Sequence, residues 1–248
     1  MRLVTYNIHK GIGGSDRRYN LARIIEVLNE INADVICLQE VTVDLPRTKG
    51  HDQARILAEH FAPMTSFFQQ NVKWKAGGYG NLVLSRWPII EQHRISLTYL
   101  KKKPRGAQLV VIETPEGSLR LLNWHLGLGE GERHWQVARL LHHETWRASA
   151  DLPTLITGDF NDWRNTLGPE LLAGHGFHQA SAPPSRFRSF PAILPVISID
   201  KAFHRPDLTI EHLAVVKTKQ TRQASDHLPL VVDFRLTQFE SPKRTPHA

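Results

Sequence analysis

The chain is poor in sulfur. Of 248 residues, one is cysteine and two are methionine. A lone thiol, Cys37, excludes an internal disulfide, and its place in the apolar run Val35-Ile36-Cys37-Leu38 marks it as a core residue. Cysteine-based metal centres are excluded with it. No HExxH pair is present either, so a structural or protease-type zinc site does not fit. Also missing is an uninterrupted apolar run long enough to span a bilayer. No leader-like segment precedes the strand-like residues 3–8, so a soluble, cytoplasmic protein is expected. There is no internal repeat and no interdomain linker. Acidic residues are outnumbered: 24 Asp and Glu stand against 31 Lys and Arg, a formal net charge of +7. That balance favours polyanionic partners, but it serves DNA, RNA and an anionic lipid surface alike. The glycine-rich stretch Lys10-Gly11-Ile12-Gly13-Gly14 lacks the strand-then-helix GxGxxG register of a nucleotide loop.

What is present is a series of short apolar runs closed by polar residues. Residues 154–157 read as a buried strand ending at Gly158, where the backbone can turn sharply and come close to a ligand. Asp159 and Asn161 follow, two residues apart, a spacing that puts both on one side of an extended segment. One acid and one amide there suit the alignment of a water against phosphorus or a metal. An Asx-type turn closing the strand is the plainer alternative. Residues 3–9 form a strand with Val4, Tyr6 and Ile8 on one face and Leu3, Thr5 and Asn7 on the other. Residues 20–31 carry Leu21, Ile24, Ile25, Leu28 and Ile31 at helical spacing behind Asn20 as N-cap. Residues 34–40 have the continuous apolar run of a strand covered on both faces, and they end in Gln39-Glu40. A glutamate there is costly unless it binds a cation or joins a buried ion pair.

A helix is expected at 51–61, a turn at 77–80, and strands at 81–85, 108–113 and 119–125, the last with Asn123 and His125 flanking Trp124. Residues 130–148 read as the longest helix, with Trp135, Ala138, Leu140 and Leu141 as its buried stripe. Residues 183–195 form a proline-rich, aromatic loop. Strands at 196–203, 208–216 and 228–234 complete a single domain over 1–236, and a flexible tail is expected at 237–248.

The polar residues at strand ends are Asn7, Glu40, His125, Asp159, Asn161, Asp200, Asp226 and His227. Carboxylate and amide oxygens suit a hard divalent cation such as magnesium. Imidazoles can donate to phosphate oxygens or protonate a leaving group, and a carboxylate beside one fixes its tautomer. The set fits metal-assisted hydrolysis of a phosphodiester.

In order, TYNIHKG, DVICLQEV, GNLVLSRWPI, LNWHL, TGDFNDW, SID and SDHLPLVV resemble the endonuclease/exonuclease/phosphatase superfamily, the DNase I-like fold. The likeness runs from about residue 3 to 234. It implies a four-layer α/β sandwich, two mixed β-sheets face to face with helices outside. It also implies roles. Glu40 matches the magnesium-ligand glutamate, and Asn7 the asparagine that helps to hold the metal or phosphate; manganese is an alternative ion. Asp159 matches the aspartate that orients or deprotonates the attacking water, and Asn161 its partner amide on the phosphate. His227 matches the SDH histidine, Asp200 the carboxylate paired with it, and Asp226 the neighbouring carboxylate within reach of the metal. His125 stands where abasic-site endonucleases carry a tyrosine, which points away from that branch. Where the repair members have an aspartate two residues after Asn7, this chain has His9, either facing the phosphate or an ordinary turn residue. Asn81 and Arg188 complete the candidate substrate contacts.

The substrate favoured is a nucleic-acid phosphodiester, because Lys101 to Lys103 with Arg105, and Arg186 to Phe190, combine cations with aromatics. A phospholipid head group or a small phosphoester is the alternative within the class. A non-catalytic phosphate-binding module is the alternative outside it.

Overall fold

In β1 (Arg2–Asn7), Val4 and Tyr6 point one way and Leu3 and Thr5 the other, and all four are fully buried. A strand dry on both faces needs a layer on each. The computed structural model, which describes residues 1–237, supplies both layers. The expected tail lies, apart from Thr237, outside the described residues.

The first sheet contains β1, β2 (Val35–Val43), β3 (Thr65–Lys73), β4 (Gly78–Ser85), β11 (Leu208–Val215) and β12 (Leu230–Leu236), in the order β11-β12-β1-β2-β4-β3. The second contains β5 (Ile89–Ser96), β6 (Gly106–Thr114), β7 (Gly117–His125), β8 (Thr154–Asp159), β9 (His178–Gln179) and β10 (Asp200–His204), in the order β5-β6-β7-β8-β10-β9. β1–β2 and β7–β8 run parallel and the other pairs antiparallel, so both sheets are mixed.

The outer face of the first sheet is covered by α1 (Leu21–Ile31), α2 (Gln53–His60) and α5 (Lys219–Ala224). α1 starts where Asn20 accepts from the Ala22 N–H, and it buries Leu21, Ile24, Val27, Leu28 and Ile31. α3 (Glu130–Leu141) and α4 (Glu144–Ala148) cover the second sheet through Val137, Leu140, Leu141 and Trp146. Between the sheets lies a third apolar layer, with Leu3, Val35, Cys37 and Val83 facing Val110, Ile112, Leu121 and Leu155. The result is the helix–sheet–sheet–helix sandwich that the resemblance implies.

A polar knot sits in the same seam. Gln39 Nε2 donates to Thr5 Oγ1 at 3.0 Å and to Asn123 Oδ1 at 2.8 Å, and Asn123 Nδ2 donates to Gln108 Oε1 at 2.9 Å. Amides buried this deeply cost free energy unless paired, so they favour one register between the sheets.

Several expected elements differ. β2 continues past Glu40, through a register shift against β4 between Leu38 and Val41. The expected turn at 77–80 begins β4 at Gly78. The expected helix at 130–148 breaks at His142 into α3 and α4. Its buried face carries Arg133, Gln136, Val137, Leu140 and Leu141, whereas Trp135 and Ala138 are only half-buried. The strand expected from residue 196 starts at Asp200, and β3, β5 and α5 were not anticipated.

Candidate active site

Strand register does most of the assembly. His125 on β7 is the direct partner of Asp159 on β8, and Asp159 is the direct partner of Asp200 on β10. Three polar side chains from three adjacent strands therefore share one line at one end of the second sheet. β7 and β8 approach closely because Gly158 has no side chain: a Cβ there would lie 2.1 Å from the Trp124 carbonyl oxygen, at a φ of +136°. The glycine thus serves a neighbouring strand, and β8 runs on through it to Asp159 instead of turning there.

The first sheet contributes the rest. Asn7, on the β1 face that looks across the seam, donates from Nδ2 to Asp159 Oδ2 at 2.9 Å. Glu40 sits at the register shift in β2 with a left-handed φ of 58°, and such a bulge re-aims a side chain. His227, in the turn before β12, is held by Ser225, whose Oγ donates to the Asn7 carbonyl at 2.7 Å and accepts from the His227 N–H at 3.2 Å. His227 Nδ1 bonds Asp200 Oδ2 at 2.9 Å, and the same oxygen accepts from Ser189 Oγ at 2.5 Å. That leaves His227 Nε2 facing Asp159 Oδ2 at 3.8 Å, with His125 Nε2 at 3.4 Å from the same oxygen.

Asp159 also accepts the Asn161 N–H at 2.9 Å, so the plain Asx turn is present. Asn161 is not extended: its φ is 50°, and its Nδ2 donates to the Leu126 carbonyl at 3.0 Å. The turn itself holds the amide at the site.

These groups open into a cavity of about 440 Å³ lined by Asn7, Glu40, His125, Asp159, Asn161 and His227, together with Lys103, Arg105, Leu128, Trp163, Phe190, Ile197 and Ile199. A wider hollow of about 530 Å³ along α3, near Trp135, holds none of the converging groups. Asp200 stands behind His227. His9 and Asp226 lie together beside the cavity, with His9 Nδ1 at 3.5 Å from Asp226 Oδ1. Asn81 is buried, its Nδ2 donating to the Gly106 carbonyl, and Arg188 is exposed; neither lines the cavity.

Sequence reasoning missed Lys10, Ser189, Ser225 and Trp163 and did not place Lys103 and Arg105 in the cavity. Lys10, Trp163 and Ser225 lie inside the quoted motifs TYNIHKG, TGDFNDW and SDHLPLVV, and Lys103 and Arg105 in the basic run; Ser189 alone carried no signal.

The electrostatics separate the two imidazoles. Burial works to keep His227 neutral, but the carboxylates of Asp200, Asp159 and Asp226 outweigh it and push its pKa up to about 10. For His125, burial and the positive charges of Arg105, His227, Lys10 and Lys103 act together and hold it well below the usual histidine range. Burial, with Asp200 nearby, raises Asp159 to about 6, against the pull of His227 and the Asn7 hydrogen bond. Glu40 is disfavoured as an anion by burial, yet the Lys10 ammonium that pairs with it keeps it below the ordinary carboxylate range. The buried ion pair raised as the alternative for Glu40 is therefore present.

The donor set fits a hard cation. Glu40, Asn7 and Asp159 offer oxygen, and Asp200 Oδ1 and Asp226 Oδ1 are buried acceptors without a donor. Asp159, Asp200 and His227 also form a buried group whose ligand atoms lie within 4.8 Å of one another.

The chain is similar to known proteins in sequence and in fold. The chain is 28% identical over 254 residues to Escherichia coli K12 YbhP, itself described as uncharacterized, covering 95% of this chain and 96% of YbhP. Among solved structures it is similar to the mannosyl-6-phosphatase Bt3783 of Bacteroides thetaiotaomicron, with 17% identity, a TM-score of 0.72, and 95% and 100% of the two chains covered. It is also similar to D. rerio TDP2 complexed with single strand DNA product, with 18% identity, a TM-score of 0.70, and 95% and 98% covered. At such identities these two show the fold. The profile of the Endonuclease/Exonuclease/phosphatase family matches residues 4–227, and the chain belongs to that family of phosphoester hydrolases.

Proposed function

We propose that the protein is a divalent-metal-dependent hydrolase that cleaves a phosphodiester by in-line attack of water. The observation that carries this reading is one carboxylate, Asp159, held by Asn7 and faced by the Nε2 atoms of two imidazoles at 3.4 and 3.8 Å, whose surroundings push their pKa values in opposite directions. Asp159, with a pKa near 6, suits the orientation of a water and acceptance of its proton. His227, cationic and fixed through Nδ1 by Asp200, presents Nε2–H to a phosphoryl oxygen. Neutral His125 and the Asn161 amide complete the polar wall. Lys103 and Arg105, both in the cavity lining, draw the anion in. Glu40 and Asn7 would hold a magnesium or manganese ion, which supplies charge neutralisation on the phosphoryl oxygens. Asp226, 3.5 Å from His9, adds to the carboxylates that favour the charged form of His227.

Asp159→Asn and His227→Ala should each lower kcat/KM on bis(p-nitrophenyl) phosphate by about 10²–10⁴-fold. Wild-type rates from both variants would refute the assignment. No magnesium- or manganese-dependent hydrolysis across a broad phosphoester panel would leave a phosphate-binding module instead. The polar groups fit any phosphodiester, and the exposed Arg186 and Arg188 serve a nucleic-acid backbone and a phospholipid surface alike.

A further inference from the structure

The rim of the cavity is apolar and exposed. Leu128 and Trp163 line the cavity yet are 73% and 64% exposed. Phe190 and Ile197, also in its lining, are bridged to each other and close a loop whose tip exposes Ile193, Leu194 and Val196 at 53%, 70% and 53%.

This loop is braced. The Phe190 N–H donates to the Ile197 carbonyl at 3.1 Å and the Ile197 N–H to the Phe190 carbonyl at 2.9 Å. Ala192 N–H donates to the Asp226 carbonyl at 2.7 Å, and Arg222 Nη1 to the Ile193 carbonyl at 2.9 Å. A fixed backbone therefore holds three aliphatic side chains in water beside the site, the kind of patch that marks an interaction surface.

Cations border it. Arg186 and Arg188 are exposed immediately before the loop, and exposed Lys101 and Lys102 lie between exposed Leu100 and the cavity residue Lys103. Aliphatic tips flanked by cations match the boundary between acyl chains and anionic headgroups. The loop tip itself offers single-stranded nucleic acid nothing to stack on, because isoleucine, leucine and valine have no ring; the rings of this rim, Trp163 and Phe190, belong to the cavity lining and not to the tip. Among the described residues no helix is long and apolar enough to cross a membrane, so contact of this kind is peripheral.

We propose that the 190–197 loop docks the protein on an anionic phospholipid bilayer and that the cavity takes a headgroup phosphodiester from that surface. The choice of substrate rests on the hydrolase reading; the docking does not.

The test separates the two. The full chain is sedimented with vesicles of phosphatidylcholine, with and without phosphatidylglycerol, and bis(p-nitrophenyl) phosphate turnover is measured in parallel. The wild type should sediment with the anionic vesicles and much less with the neutral ones. The triple variant Ile193→Ser, Leu194→Ser, Val196→Ser should bind the anionic vesicles at least about tenfold more weakly while turning over the soluble diester as the wild type does, which also shows that it is folded. Docking is overturned if the wild type ignores anionic vesicles, if the triple variant binds them equally well, or if the substitutions weaken binding of a single-stranded oligonucleotide and leave vesicle binding unchanged. Loop-dependent vesicle binding without any hydrolysis would keep the docking surface and remove the enzyme.

Discussion

His125 and His227 face the same carboxylate oxygen, Asp159 Oδ2, and shift in opposite directions. Burial opposes the charge on both, but only His227 has a second carboxylate, Asp200, bonded to its other nitrogen. The productive form in the proposed reaction needs Asp159 ionised and His227 protonated. Asp159 carries its proton below about pH 6, so kcat/KM should rise as pH increases through that value. It should then stay level and fall as His227 loses its proton towards about pH 10. His227→Gln should remove the alkaline limb and keep the acid one; a profile without an acid limb would take the base role from Asp159.

At this scale the sequence was most legible for the placement of motif residues: Asp159, Asn161 and His227 all line the one cavity. It was least legible for Lys10. A lysine after a strand reads as a surface charge, and its pairing with Glu40 depends on a bulge that no local pattern announces.

Elements carry the alignment of the site, and β8 carries most of it. Gly158→Ala would place a Cβ at a φ of +136° and against the Trp124 carbonyl. Backbone strain of this kind costs roughly 1–3 kcal/mol. Because β7 must move away, the His125–Asp159 pairing should be lost as well. Urea unfolding should show the lower stability, and turnover measured where the variant is fully folded should still fall. Unchanged turnover in folded protein would separate the register from the chemistry.

The segment after β8 is held by a buried pair, Lys201 Nζ to Asp162 Oδ2 at 3.0 Å, with both side chains fully buried. Asp162→Ala should cost about 3–5 kcal/mol by stranding a buried ammonium, whereas replacing both residues with apolar ones of similar volume should recover much of the loss. Denaturant midpoints for the single and double variants decide it.

The elements missed from sequence share a cause. β3 and β5 are edge strands, each paired on one side, and their sequences mix exposed polar residues with few apolar ones, so no clean alternation appears. α5 has six residues and one capping box, Thr218 with Thr221, too short for a periodic stripe. The buried strands β1, β2, β7 and β8 were legible because a strand dry on both faces must be apolar along its length.

The whole molecule places its site across a seam. Asn7, Glu40 and His227 come from the first sheet or its connections, and His125, Asp159 and Asp200 from the second. The Asn7–Asp159 hydrogen bond and the knot of Gln39, Asn123 and Gln108 tie the two together. A cation held by Glu40 and Asn7 beside Asp159 would bind only when the sheets are docked, so it should stabilise the folded chain. At a hundredfold excess over its Kd, a ligand specific to the folded state adds about 2.7 kcal/mol. For a chain of this size that corresponds to a rise in Tm of roughly 5–10 °C.

Thermal unfolding in magnesium against EDTA should show that rise, and Glu40→Gln should abolish it. Lys10→Met should enlarge it at limiting magnesium, because the ammonium competing for the Glu40 carboxylate is gone. If Glu40→Gln keeps the full shift and Asp200→Asn loses it, the ion belongs to the Asp159, Asp200 and His227 group. His227 would then be a ligand, and its part as a phosphate donor would have to pass to His125 or Arg105.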